Sequence, residues 1–240
     1  MFAAGNPFVN AYLHTDWLGK GIFWLLFVLS GITWTILIHK GWVFFHVKRL
    51  SRDLLSQFSH DDPLSLQFNR PVKGVLLEVP HPLFEIYKSF KAKALAIISR
   101  NHLFMIGASF SMTDIELLES EMFVAIRKQM RNLEKHLYIL PTIANLGPFI
   151  GLLGTVWGIL ISFSQMQSRA GNEGLLAGLS LALATTVIGL LVAIPALVGN
   201  NYFKNAVRSY AVEMDEFTQL LISSIEIHYA RGEHAKESVH

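Results

Sequence analysis

The chain has 240 residues, 52% of them hydrophobic and 16% charged, with a formal net charge of +2 and no cysteine. That balance is too apolar for an ordinary soluble domain and too weakly charged for a nucleic-acid footprint. It excludes disulfides and leaves the redox compartment open.

Three membrane spans account for the apolar excess, so the expected class is an all-α integral membrane protein: three transmembrane helices with long cytoplasmic helical extensions. Residues 1–16 form a short external segment, in which Asn6 and Pro7 fit the cap and first turn of a brief helix at a membrane surface. The first span is placed at 17–38. Its run GIFWLLFVLSGITWTILI, Gly21 to Ile38, carries no charge, and Trp17, Trp24, Trp34 and Trp42 suit interfacial belts. A basic leader and a small-residue cleavage site are both missing around this run, so it is expected to remain as an anchor. Lys40, Lys48, Arg49 and Arg52 follow the span while Lys20 alone precedes it, which puts the N-terminus outside and, after three spans, the C-terminus in the cytoplasm.

Residues 39–136 are then a cytoplasmic helical region. Pro63, Pro71, Pro80 and Pro82 mark an irregular connection, VKGVLLEV (Val72 to Val79) reads as a short strand, and Pro82 to Ser99 reads as a helix with Lys88, Lys91 and Lys93 on a solvated face. Thr113 and Glu116 fit a capping box, and Ile115, Leu118, Met122, Ile126, Leu133 and Leu137 make a helical stripe. With no proline before Pro141, this helix is expected to run unbroken into the second span, about 75 Å for roughly fifty residues. Arg127, Lys128, Arg131 and Lys135 lie just ahead of that span, in keeping with a cytoplasmic approach.

The second span, 137–164, contains the run LGPFIGLLGTVWGILISF from Leu146 to Phe163. Gly147, Gly151, Gly154 and Gly158, with Thr155 and Ser162, recur at three- and four-residue steps and so share a face on which another backbone can approach closely. Pro141 and Pro148 each free a carbonyl one turn earlier and are expected to kink or widen the helix. Residues 165–173 form a tight external loop. The third span, 174–198, carries Gly178, Ala182, Thr185, Gly189 and Ala193 on a small face, with Ser180 and Thr186 beside it and Pro195 as a further kink. For these hydroxyls two readings stand open. They bond carbonyls one turn back as ordinary packing, or they line an ion path and hydrogen-bond a titrating carboxyl.

In the cytoplasmic C-terminal region, 199–240, Phe203, Val207, Tyr210, Met214, Phe217, Leu221 and Ile225 form a seam in four- and three-residue steps. It serves either self-association or packing against the helix that begins near Thr113. The ten histidines show no HExxH pattern, and the spans contain hydroxyls but no histidine or acid. No metal site, cofactor or enzymatic activity is therefore expected. Without an ionisable side chain in the apolar run of any span, the chain cannot carry protons through the membrane alone.

GPFIGLLGTVWGI followed by TTVIGLLVAIPALV resembles the paired signature of the TolQ/ExbB proton-channel family, distantly related to the flagellar stator subunit MotA. The order of one span, a large cytoplasmic segment, two spans and a tail agrees with that family, without the additional leading spans of MotA. The resemblance implies a homopentameric inner-membrane motor around a dimeric single-span partner similar to TolR or ExbD, which supplies a membrane aspartate. Force would pass to the outer membrane through a protein similar to TolA or TonB, in a Tol-Pal or a TonB type of system. Thr155 and Thr186 match the family's hydroxyl positions facing that aspartate. Where the family carries a glutamate in a GIxEAL pattern, Leu181 stands here, beside Ser180. A passive membrane scaffold is the competing class; ion flux in the presence of a partner discriminates the two.

Overall fold

The computed structural model describes Tyr12 and residues 16–57, 81–103, 110–167 and 171–229. Asn6, Pro7 and the strand expected over residues 72–79 lie outside them. The described elements are helices: α1 Trp17–Gln57, α2 Pro82–Leu103, α3 Met112–Glu134, α4 Ile139–Gln167 and α5 Gly171–Tyr229. Three helical stretches among them are long and apolar enough to cross a membrane.

The chain forms two compact units, one from Met1–Lys40 with His136–Lys204, the other from Gly41–Lys135 with Asn205–His240. α1 and α5 contribute to both. Each outruns its apolar span because nothing stops it: α1 has no proline, and Pro195 lies within α5 without ending it. In the apolar unit, Asp16 caps α1 by accepting a bond from Gly19 N at 3.2 Å, and Trp157 Nε1 of α4 donates to both oxygens of the same carboxylate at 3.2 and 3.1 Å. The last residue of the expected external segment thus ties the start of α1 to α4.

In the second unit α2 and α3 form an antiparallel hairpin, crossed by the Lys93 to Glu121 ion pair at 3.2 Å and the Arg100 to Asp114 pair. Lys91 Nζ lies over the Tyr87 ring, so of the three lysines expected on a solvated face Lys88 alone is plainly exposed. The whole stripe from Ile115 to Leu137 is buried, as is the seam from Phe203 to Ile225. The seam is therefore covered by its own chain, as intrachain packing requires; α3 and α5 also line a common notch through Phe123, Ile126, Thr218 and Ile222. Ser51 of α1 joins this packing. Its hydroxyl donates to Val47 O at 2.8 Å and so accepts from the buried Tyr210 hydroxyl, and burial pushes the Tyr210 phenol up to about 12 despite that bond.

Three expectations need correction. The capping box belongs to Ser111 and Asp114, not to Thr113 and Glu116. The helix starts at Met112, so Ser111 is its N-cap and Asp114, three residues on, returns the bond to the Ser111 N–H, while Thr113 already lies within the first turn.

The helix from α3 does not continue into the second span. Residues 135–138 form a turn in which His136 adopts φ 69°, and α4 starts afresh at Ile139. Pro141 accordingly sits in the first turn of α4, where a missing N–H costs nothing, and its ring is incompatible with a helix arriving through Leu137. Finally, the loop expected over 165–173 is shorter, since α4 extends to Gln167 and α5 begins at Gly171.

Candidate functional site on the paired spans

The small residues of α4 and α5 meet as their spacing requires. A methyl group on Gly147 would come within 2.9 Å of Gly189 O, one on Gly151 within 3.1 Å of Thr185 O, and one on Gly158 within 2.6 Å of Gly178 O. Ascending numbers on one helix thus face descending numbers on the other, so the pair is antiparallel with backbones in direct contact. Gly154 lies against the Thr185 side chain and Gly178 against Ser162, whose hydroxyl donates to Gly158 O at 3.0 Å. The six glycines Gly147, Gly151, Gly154, Gly158, Gly178 and Gly189 are packing residues in this sense. Pro148 and Pro195 both lie inside continuing helices, where each leaves the carbonyl four residues earlier, Ala144 or Leu191, without its helical donor.

The four candidate hydroxyls do not act together. Thr185 is fully buried in the contact and donates to Leu181 O at 2.9 Å and Ala182 O at 3.0 Å, which makes it a packing residue. Ser180 is exposed. Thr155 and Thr186 are half-buried; Thr155 Oγ1 donates to Leu152 O at 2.6 Å and Thr186 Oγ1 to Ala182 O at 3.3 Å. Because Gly154 faces Thr185 across antiparallel helices, one step forward on each turns the side chain toward the same flank of the pair. That step leads to Thr155 and Thr186.

The first helix lies on the other flank. Trp157 reaches Asp16, and Ile188 and Val192 of α5 share a groove with Phe23 and Leu26 of α1. The Thr155 and Thr186 edge is therefore left uncovered by α1. Leu181 is five residues from Thr186, about 140° around the helix, and its side chain is buried. An apolar residue suits that position, because a carboxylate there would be desolvated away from the hydroxyl edge.

Each hydroxyl has spent its proton on its own helix, which leaves oxygen lone pairs to accept a bond from outside. Together they form a small acceptor edge on an apolar wall. No group of His, Cys, Asp or Glu able to hold a metal ion occurs among the described residues.

Two features escaped the sequence reading. The Trp157 to Asp16 clasp joins residues 141 positions apart, which no local pattern reveals. Asn200 is buried near the end of the apolar unit with Oδ1 unpaired, in a stretch that reads as ordinary amphipathic helix.

A pair of close-packed apolar helices with a hydroxyl edge, in a chain with a third apolar helix and a helical hairpin, defines a polytopic α-helical membrane protein. Residues 88–216 match the family described as the MotA/TolQ/ExbB proton channel family, and the chain belongs to it. That membership and the apolar helices make it a bacterial inner-membrane protein. Among its relatives, the biopolymer transport protein ExbB of Salmonella typhimurium is 30% identical over 88% of this chain and 83% of its own length. ExbB of Pseudomonas putida is 28% identical over 93% of this chain, which spans 65% of that relative. The Tol-Pal system protein TolQ of Haemophilus influenzae is 37% identical over 42% of this chain and 46% of its own length. The chain thus spans less than two thirds of two of these three relatives.

Proposed function

We propose that the chain is a channel and motor subunit that couples ion flow across the inner membrane to force on an envelope partner, and that it is not an enzyme. The observation that carries this reading is the edge bearing Thr155 and Thr186, in a protein whose spans contain no acidic or histidine side chain. Proton transfer then needs a carboxyl from elsewhere, supplied by a single-span partner of the TolR or ExbD kind. Copies of this chain, five in the family arrangement, would enclose that partner with this edge inward, and a TolA- or TonB-like protein would carry the force outward. The N-terminus would lie in the periplasm and the C-terminus in the cytoplasm.

The chemistry follows from the hydroxyl geometry. A protonated partner carboxyl donates to Thr155 or Thr186 Oγ1, whose own protons are held by Leu152 O and Ala182 O. Once the carboxyl is ionised, the same hydroxyls must rotate outward and donate to it. Thr155 and Thr186 thus serve both protonation states and lower the cost of bringing a charge into an apolar wall. The membrane potential supplies about 2.3 kcal/mol per charge for each 100 mV.

The test is proton flux into vesicles containing the chain with its partner. The Thr155→Ala, Thr186→Ala double variant is expected to lose at least about tenfold in partner-dependent flux, as two lost hydrogen bonds of about 1 kcal/mol each imply. Flux at the level of the unaltered protein would defeat the reading and favour a passive scaffold.

A further inference from the structure

The flank opposite the hydroxyl edge carries a groove that the proposed function does not use. It has a volume of about 540 Å³ and runs between Phe23, Leu26, Phe27 and Ser30 of α1 and Leu191 and Val192 of α5. That volume falls within the roughly 300–1,000 Å³ typical of ligand sites. Phe27 is 71% exposed and Leu191 62%, so the groove opens sideways, where a span meets hydrocarbon.

One end of the groove is polar. Tyr12 lies there, its ring edge-on to Phe23 with centroids 5.8 Å apart, and Lys20 Nζ stands 5.9 Å from the same ring. No acidic residue precedes Asp16 and none follows it before Asp53. The Asp16 carboxylate is occupied by Trp157 Nε1 and Gly19 N. Lys20 therefore offers its charge at the mouth of an apolar slot that is open to the bilayer.

We propose that this groove binds an anionic phospholipid, with an acyl chain between α1 and α5 and the phosphate on Lys20. A phosphate matches an ammonium whose neighbouring carboxylate is otherwise engaged, and Tyr12 supplies an amphipathic ring at headgroup level. The slot itself is aromatic and aliphatic apart from Ser30, as an acyl chain requires. The bound lipid would wedge α1 against α5 and so fix the first helix on the flank away from Thr155 and Thr186.

The experiment uses the full chain, purified with its partner in mild detergent, and native mass spectrometry with phosphatidylglycerol or phosphatidylcholine added. The unaltered chain is expected to retain phosphatidylglycerol preferentially. Lys20→Gln should reduce that preference about fivefold, the effect of one lysine at an anionic surface. Leu191→Trp, which fills the groove from its exposed wall without touching the buried core, should reduce retention of both lipids.

Equal retention of the two lipids by the unaltered chain would overturn the headgroup assignment, and retention unaffected by Leu191→Trp would overturn the groove. Because the chain has no cysteine, Leu191→Cys also provides a single crosslinking position. Efficient capture of a second copy of the chain there would show that a neighbouring subunit, not a lipid, fills the slot.

Discussion

Asp114 concentrates more polar contacts than any other described carboxylate. It accepts from Asn101 Nδ2 at 3.2 Å, from Ser111 N at 3.2 Å and from Ser111 Oγ at 3.0 Å, and it pairs with Arg100. Burial pushes its carboxyl up, but the bonds from Asn101 and Ser111 together with the Arg100 charge outweigh burial and hold it below the ordinary carboxylate value of 3.8. A depressed folded value contributes stability that is present above the unfolded value and is lost as pH falls through the folded one. Hydrogen exchange of the α2 and α3 amides should therefore show protection that is flat from neutral pH down to about 4 and falls below it. In Asp114→Asn the hairpin should be less protected at neutral pH, and the acid-dependent part of the loss should vanish. An unchanged acid profile in that variant would assign the effect to other groups. At this scale the sequence was legible in kind but not in register, since a run of Ser111, Thr113, Asp114 and Glu116 offers two overlapping capping boxes of the same spacing, and only the point at which the helix starts chooses between them. The hydroxyls behave similarly: Thr155, Thr185 and Thr186 all stood out by type, yet Thr185 is consumed by packing because Gly154 leaves room for it.

Among the elements, the glycines divide by what a side chain would meet. At Gly158 a methyl would press on Gly178 O at 2.6 Å and Ala182 N at 2.8 Å, both backbone atoms, so the helices must separate. At Gly31 a methyl meets nothing within 4 Å. Gly158→Ala is accordingly expected to cost about 1–3 kcal/mol, and Gly31→Ala to be neutral or to gain up to about 1 kcal/mol from helix propensity. Thermal unfolding in detergent should separate the two by several degrees, and equal midpoints would mean that the α4 and α5 contact is not tight.

A second element-scale test concerns the turn at 135–138. His136 holds a left-handed φ of 69°, a conformation costing roughly 1–2 kcal/mol for a residue with a Cβ. His136→Gly should stabilise the protein by relieving it, whereas His136→Val should destabilise it, again read by thermal unfolding. The glycine spacing was readable because one helix face is a local property. The break was not, because the apolar stripe runs into it: Leu133 just before the turn and Leu137 within it are both buried. Pro141 was the available signal, and it marks the start of α4 instead of a kink within it.

For the whole molecule, the three apolar helices were legible from charge-free runs, and the helices of the second unit from their seams. What those patterns leave undetermined is which flank of the α4 and α5 pair faces inward, because helix faces say nothing of how α1 chooses a side. The clasp from Asp16 to Trp157 holds α1 on one flank, and it leaves Thr155 and Thr186 on the edge away from that helix. An ion path needs walls on every side, so under the proposed function the edge must be closed by further copies of the chain and by the helices of a partner. Co-expression with a single-span protein bearing one membrane aspartate, followed by native mass spectrometry of the complex, should accordingly give five copies of this chain around two of the partner. Gly158→Ala should shift that distribution toward incomplete assemblies, because its α4 and α5 pair no longer presents a uniform wall, while Gly31→Ala should leave it unchanged. A lone oligomer without partner, in a preparation that preserves other membrane complexes, would instead make the chain a scaffold, and the two hydroxyls would have no proton carrier to serve.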